Sequence, residues 1–299
     1  DSVTIPAGAD DTGTATLTTK IFMGETEVTW ELWKEVYDWA VDPERGANQY
    51  TFENPGRMGS VDGGSGMTDR HPVTMITWRD ALVWCNALSE MTGVWPTYVS
   101  DGTGIHDHPA GMPFRSSVND SYLNGANVEQ GLQLEKDLVA YKGFRLASSA
   151  EWEYAARYIG ATAPVVQYLA TDCLYYNKDG QFTSLTEGYY WTPGDYSSGA
   201  VKDYTSETET RGVAWYSYDP AMDGTDKSMP VGQKAANQLG IYDMNGNVWE
   251  WCFTASGSNR MRRGGSWTST NANMVVSAGD FSAPDYYDSD ISFRLVKTQ

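Results

Sequence analysis

The chain has 299 residues, 40% hydrophobic and 20% charged, with a mean hydropathy of −0.48, which is the profile of a soluble globular protein large enough to bury a sizeable core. Its formal net charge of −18 argues against nucleic acid and anionic membrane surfaces; only Arg260, Arg262 and Arg263 bunch together. No run approaches the roughly 20 apolar residues needed to cross a bilayer.

Asp1 opens the chain without Met, so a processed or truncated N-terminus is expected. Residues 1–20 alternate weakly (Val3, Ile5; Ala15, Leu17) and read as short strands. Thr29 then caps a helix with Trp30, Trp33, Val36, Tyr37 and Ala40 at helical spacing, stopped by Pro43. Thr77-Trp78-Arg79-Asp80 resembles a capping box, and Ala81, Leu82, Cys85 and Leu88 carry its apolar stripe to Gly93. Ser148-Ser149-Ala150-Glu151 is an S-x-x-E box, with Trp152, Ala155, Ala156 and Ile159 following and Gly160 ending the helix.

Long polar, Gly-rich stretches separate these helices at 44–70, 97–140 and 170–210; such stretches are functional loops or poorly ordered. The apolar positions form no βαβ alternation, so a parallel sheet is not expected. The pattern predicts an α+β domain with much irregular structure, no tandem repeat and no dividing linker, hence a single domain over 1–299.

Cys85, Cys173 and Cys252 are odd in number and widely spaced, neither a disulfide framework nor a metal motif; Cys85 and Cys252, beside tryptophans, read as core thiols. His106-Asp107-His108 lies in a Gly/Pro-rich loop with no third zinc ligand and reads as solvated. Glu25 and Glu27, on an alternating segment, read as a solvated strand face. The 12 Trp and 19 Tyr require hydrogen-bond partners where buried and make effective contact residues where exposed. There is no nucleophile–base arrangement, P-loop or dinucleotide fingerprint.

A string of motifs is more specific: Met23-Gly24-Glu25-Thr26-Glu27-Val28-Thr29, His71-Pro72-Val73-Thr74, Phe144-Arg145-Leu146-Ala147-Ser148-Ser149-Ala150-Glu151-Trp152, Gly240-Ile241-Tyr242-Asp243-Met244-Asn245-Gly246-Asn247-Val248-Trp249-Glu250-Trp251, Arg263-Gly264-Gly265-Ser266-Trp267 and Ser292-Phe293-Arg294. In this order they resemble the formylglycine-generating-enzyme (sulfatase-modifying factor) family over roughly 18–296. That resemblance implies a C-type-lectin-like fold with the C-terminal segment at the heart of the site.

Catalytic members of that family oxidise a cysteine of a sulfatase with two copper-binding cysteines, two and seven residues after the GGS-aromatic motif. Ser269 and Met274 stand there in this chain. A hydroxyl and a thioether supply no thiolate for Cu(I) or for the redox step, so no copper and no such catalysis is expected. The rival reading is an oxidase of peptidyl cysteine by a cysteine-poor route; a third is a structural cell-surface protein.

The sequence is more similar to another branch of this fold, the variable proteins of diversity-generating retroelements, whose C-terminal segment is mutagenised at adenines so that AAC codons become NNY. Residues 268–292 contain no Lys, Arg, Glu, Gln or Trp, and every residue except Met274 belongs to the set NNY encodes. The resemblance implies a non-catalytic binding protein displayed at a bacterial cell surface, exported and lipid-anchored, with protein or other macromolecular ligands. The expected contact residues are Thr268, Ser269, Thr270, Asn271, Asn273, Gly279, Asp280, Phe281, Ser282, Ala283, Tyr286, Tyr287, Asp288, Ser289 and Asp290; Tyr, Ser, Asn and Gly are the vocabulary of antibody paratopes. Val275, Val276, Ile291 and Phe293 read as core, and Trp215-Tyr216 as bordering the surface or packing beneath it. The family also implies a calcium ion held by the Asp243 side chain, the carbonyls of Met244, Gly246 and Val248, and Glu250, oxygen donors suited to a hard cation.

Overall fold

The computed structural model describes residues 1–5, 8–9, 16–17, 20–59, 66–99, 112–118, 143–160, 190–217, 219–222 and 227–299. Cys173, the His106–His108 loop, most of the 97–140 stretch and residues 170–189 of the 170–210 stretch lie outside the described residues. In chain order the main elements are β1 (Ser2–Ile5), β2 (Ile21–Gly24), α1 (Trp30–Ala40), α2 (Trp78–Met91), β3 (Phe144–Leu146), α3 (Ser149–Arg157), α4 (Glu207–Val213), β4 (Trp249–Ser256), β5 (Asn259–Arg263), β6 (Gly279–Ser282), β7 (Ile291–Phe293) and β8 (Leu295–Thr298).

The helices start where their caps place them. Thr29 Oγ1 accepts the Leu32 N–H, and Thr77 with Asp80 and Ser148 with Glu151 form reciprocal capping boxes, each cap contributing about 1 kcal/mol. Asp80 does more than cap: buried, its carboxylate also accepts from the Glu53 and Asn54 backbone, from Asn54 Nδ2 and from Ser117 Oγ, which ties two irregular segments to α2. The third helix ends earlier than its sequence suggests, at Arg157, because Tyr158–Gly160 turns into an extended pairing with Tyr190–Trp191.

Two four-stranded sheets carry the rest. One has the order β1-β2-β8-β3 and is antiparallel throughout; the other has the order β6-β5-β4-β7. The second sheet is mixed: β4 and β7 run parallel, Trp249 opposite Ile291 and Trp251 opposite Phe293, while its other pairs are antiparallel, so no wholly parallel sheet forms among the described residues. Strands β7 and β8 belong to different sheets, and the residue between them is Arg294. The chain passes from one sheet to the other at that side chain.

The main core lies between α1, α2 and the second sheet. Trp33 and Trp84 stack at 5.5 Å, and Phe293 meets both edge-on. Burying this much indole is tolerable because the N–H groups find carbonyls: Trp33 donates to Pro55, Trp84 to Trp33, Trp78 to Cys252 and Trp251 to Ile76. Cys85 and Cys252 are free, buried thiols in these cores, and burial pushes both well above the ordinary thiol range.

Candidate functional site

The GGS-aromatic turn is shaped by close approach. A Cβ on Gly265 would lie 2.3 Å from the Met274 methyl, and a Cβ on Gly264 would lie 2.8 Å from the Met244 carbonyl oxygen. Both glycines also hold positive φ, which a larger residue adopts only with strain. Met274 itself is fully buried among Val213, Ala214 and Tyr216, and its carbonyl accepts the Ser197 hydroxyl. Ser269 turns its hydroxyl to the Ser266 N–H at 3.1 Å, while its carbonyl takes the N–H and Oγ of Ser217. The two positions that would carry copper-binding cysteines are therefore built into the turn.

Residues 268–292 divide cleanly into an inward and an outward set. Inward lie Met274, Val275, Val276, Ile291 and Ser292, and with them Asp290. Outward lie Thr268, Thr270, Asn273, Gly279, Asp280, Phe281, Ala283, Tyr286 and Tyr287; Ser269, Asn271, Ser282, Asp288 and Ser289 are partly covered. Phe281, Tyr286 and Tyr287 are 41%, 40% and 46% exposed. They are three of the six large hydrophobic side chains exposed among the described residues, so the aromatic load does surface here. Tyr286 donates its hydroxyl to Asp288 at 2.8 Å and lies beneath the Arg262 guanidinium, which also pairs with Asp280.

Asp290 corrects the expected contact set. Its Oδ2 accepts the hydroxyls of Ser266 at 2.7 Å and Thr268 at 2.9 Å, and its carbonyl takes the Trp249 N–H at 2.7 Å. The carboxylate ties the end of the segment to its beginning instead of facing solvent. Asp290→Ala is expected to destabilise the protein by about 1–2 kcal/mol in urea titration, because the buried Ser266 hydroxyl and the more exposed Thr268 hydroxyl both lose their acceptor.

Trp215 and Tyr216 resolve to packing beneath. Trp215 bridges Gly246, whose φ is +78° and where a Cβ would lie 2.2 Å from the Trp215 carbonyl oxygen; Tyr216 is buried against Met274. Lys234 sits 3.7 Å over the Trp215 ring and pairs with Asp219.

Beneath the turn lies a buried charge cluster, and here the reading of Glu27 as solvent-facing fails. Glu27, Asp243, Glu250 and Arg294 are each no more than 2% exposed. Arg294 donates to both Glu250 oxygens, to the Gly24 carbonyl at 3.0 Å and to the Tyr242 carbonyl at 2.9 Å; Trp152 Nε1 adds 2.8 Å to Glu250 Oε2. Glu27 Oε1 accepts from Asn247, and Asp243 Oδ2 takes the Gly232 N–H, leaving Glu27 Oε2 and Asp243 Oδ1 without a hydrogen-bond donor among the described residues. Burial first, and the neighbouring Asp243 charge next, push the Glu27 carboxyl well up; burial also moves Asp243 up to about 6. Strand alternation missed Glu27 because its partners Asn247, Asp243 and Arg294 are more than 200 residues away in sequence.

The architecture, two small sheets and short helices with irregular connections around a buried ion cluster, is the C-type-lectin-like α+β fold. Residues 2–299 match the family model of the sulfatase-modifying factor enzyme 1-like domain, and the chain belongs to that family. It is 26% identical over 326 residues to the chaperone protein LppX of Paenibacillus barcinonensis, covering all of this chain and 90% of that protein. Among solved structures it is similar to CarF (TM-score 0.64, 24% identity, 100% of this chain and 98% of that one). It is also similar to Treponema denticola variable protein 1 (TM-score 0.58, 25% identity, 100% and 95%).

The calcium set implied by the family does not fit as it stands. Calcium asks for six to eight oxygens facing one point, but Glu250 turns both of its oxygens to Arg294 and Trp152. That leaves Asp243 Oδ1 as the one open carboxylate oxygen of the set, with Gly264 packed against the Met244 carbonyl. Of the three acids, the Arg294 guanidinium hydrogen-bonds to Glu250. Among the described residues no helix is long and apolar enough to cross a membrane.

Proposed function

We propose that this protein is a non-catalytic, ligand-binding member of the family, displayed outside a bacterial cell by a lipid anchor, whose residues 268–292 are diversified by a retroelement to bind varying macromolecular partners. The observation that carries the reading is the division of that segment. Phe281, Tyr286, Tyr287, Asp280 and Asn273 face water, while Met274, Val276, Asp290 and Ile291 hold the backbone from within. Ser269 and Met274, committed to the turn and the core, offer no thiolate, so neither copper binding nor cysteine oxidation is expected. The similarity to a variable protein supports this reading.

A binding surface of this kind must tolerate change. Phe281→Ala, Tyr286→Ala and Tyr287→Ala are each expected to alter unfolding free energy by less than about 0.5 kcal/mol, since exposed side chains leave the core untouched. Sequencing the gene from several isolates tests the reading directly. Substitutions are expected to gather at the outward positions of 268–292 and to spare Ser266, Met274 and Asp290, with an adenine-rich template copy nearby. Substitutions spread evenly over the chain would remove the case for diversification. Stoichiometric Cu(I) binding with turnover of a sulfatase-type peptide would return the protein to the enzymes.

A further inference from the structure

Strand β6 (Gly279–Ser282) is the outer strand of the β6-β5-β4-β7 sheet, and it lies inside the outward-facing segment. Gly279, Asp280 and Phe281 are all exposed, and no strand covers its free side among the described residues. In an antiparallel pair every second residue turns its N–H and C=O away from the neighbouring strand. Phe281 is such a residue: its N–H donates to the adjacent Asp280 carboxylate at 2.8 Å. Gly279, two positions earlier, shares that orientation. An edge with main-chain groups facing outward is a template for a further strand unless something blunts it. Gly279–Ser282 holds no Lys and no Pro, and its one charged side chain, Asp280, occupies the Phe281 N–H, so an added strand must displace that carboxylate to pair there.

The surroundings select what can add there. Residues 268–292 hold Asp280, Asp285, Asp288 and Asp290 and no cation, within a chain of net charge −18. Arg262 neutralises Asp280, whereas Asp285 is exposed without an ion pair among the described residues. Two such edges brought together would oppose acid with acid, so a second copy of this chain is disfavoured. Phe281, Tyr286 and Tyr287 offer apolar ring surface to a strand whose own side chains alternate.

We propose that the partner docks as an extended, basic peptide segment that adds a strand to the free edge of Gly279–Ser282, with main-chain hydrogen bonds to Gly279 and Phe281 and its Lys or Arg side chains over Asp285 and the flanking tyrosines. This rests on the reading of 268–292 as a binding surface and deepens it. Main-chain pairing is indifferent to side-chain identity, so it supplies a constant part of the affinity while the neighbouring side chains vary. The constant part explains how a segment can be rewritten without losing its capacity to bind.

Fluorescence anisotropy of the whole protein tests it with a labelled octapeptide of alternating Lys and Val, the same peptide N-methylated throughout, and a Glu-for-Lys counterpart. The Lys–Val peptide is expected to bind in a salt-sensitive way, and both the N-methylated and the Glu peptides to bind at least about tenfold more weakly. Phe281→Pro, which removes an outward N–H outside the ladder with β5, is expected to match that tenfold loss, while Phe281→Ala loses no more than about threefold. The N-methylated peptide keeps the test sound even where the proline variant fails to fold. If Phe281→Pro and the N-methylated peptide bind normally while Tyr286→Ala or Tyr287→Ala abolishes binding, strand addition is overturned and the segment stays a side-chain surface. Absence of any binding to the wild-type chain up to about 1 mM peptide overturns the strand proposal as well. The isolate sequences judge the broader reading separately.

Discussion

Arg294→Met is expected to cost the fold about 3–5 kcal/mol in chemical denaturation near neutral pH, the largest loss of any single substitution outside the tryptophan core. The reason is topological as well as electrostatic. Arg294 is the single residue between β7 of one sheet and β8 of the other, and its fork reaches Glu250 on β4, the Gly24 carbonyl at the end of β2 and the Tyr242 carbonyl. Burial works against its charge, yet the Glu250 carboxylate more than offsets this and its pKa rises. With methionine there, Glu250, Asp243 and Glu27 face one another in a dry interior with no counter-charge. Pairing the change with Glu250→Gln removes one of those stranded charges, so the double variant is expected to be more stable than Arg294→Met alone. Arg294→Lys is also expected to be costly, because an ammonium cannot hold three directions of the fork at once. A double variant less stable than either single one would show that the cluster is held by packing and not by charge.

Local rules made much of the scaffold readable. Thr29, Thr77 and Ser148 fix helix starts through hydrogen bonds that reach only three residues ahead, and such bonds leave a sequence signature. Val275, Val276 and Ile291 declared themselves as core through apolarity alone. The motif string identified the family because it fixes many residues at once. What stayed hidden are pairings across long sequence distance: Glu27 with Asn247, Arg145 with Thr298, and the parallel contact of β4 with β7. Asp290 was misread for the same reason. Among Asp280, Asp285 and Asp288 it looks like another solvated acid, and only the fold brings Ser266 and Thr268 to its oxygen.

The second large expectation is that stability falls as pH rises from about 4 through about 6, contrary to the usual loss of stability on acidification. Asp243 and Glu27 both hold their protons more tightly in the native chain than unfolded carboxyls do, whose values lie near about 3.9 and about 4.3. Between the unfolded and folded values the native state carries a proton that the unfolded chain has released. Unfolding then releases a proton, and each such carboxyl lowers stability by up to about 1.4 kcal/mol per pH unit. For Asp243 the window runs from about 4 to about 6, where its folded value lies; Glu27 extends the decline above that. Glu151 acts in the opposite sense: burial raises it, but the Arg145 ion pair and the Ser148 N–H hold it below the usual range. Its contribution is lost only as pH falls below about 4, so the two effects leave a maximum in the mildly acidic range. Asp243→Asn is expected to flatten the lower part of the decline and Glu27→Gln the upper part, each read from urea midpoints across the pH series. A wild-type stability that is level or rising between about pH 4 and about pH 6 would mean that the cluster is fully ionised in the folded chain, and that a further positive charge beside Arg294 balances it.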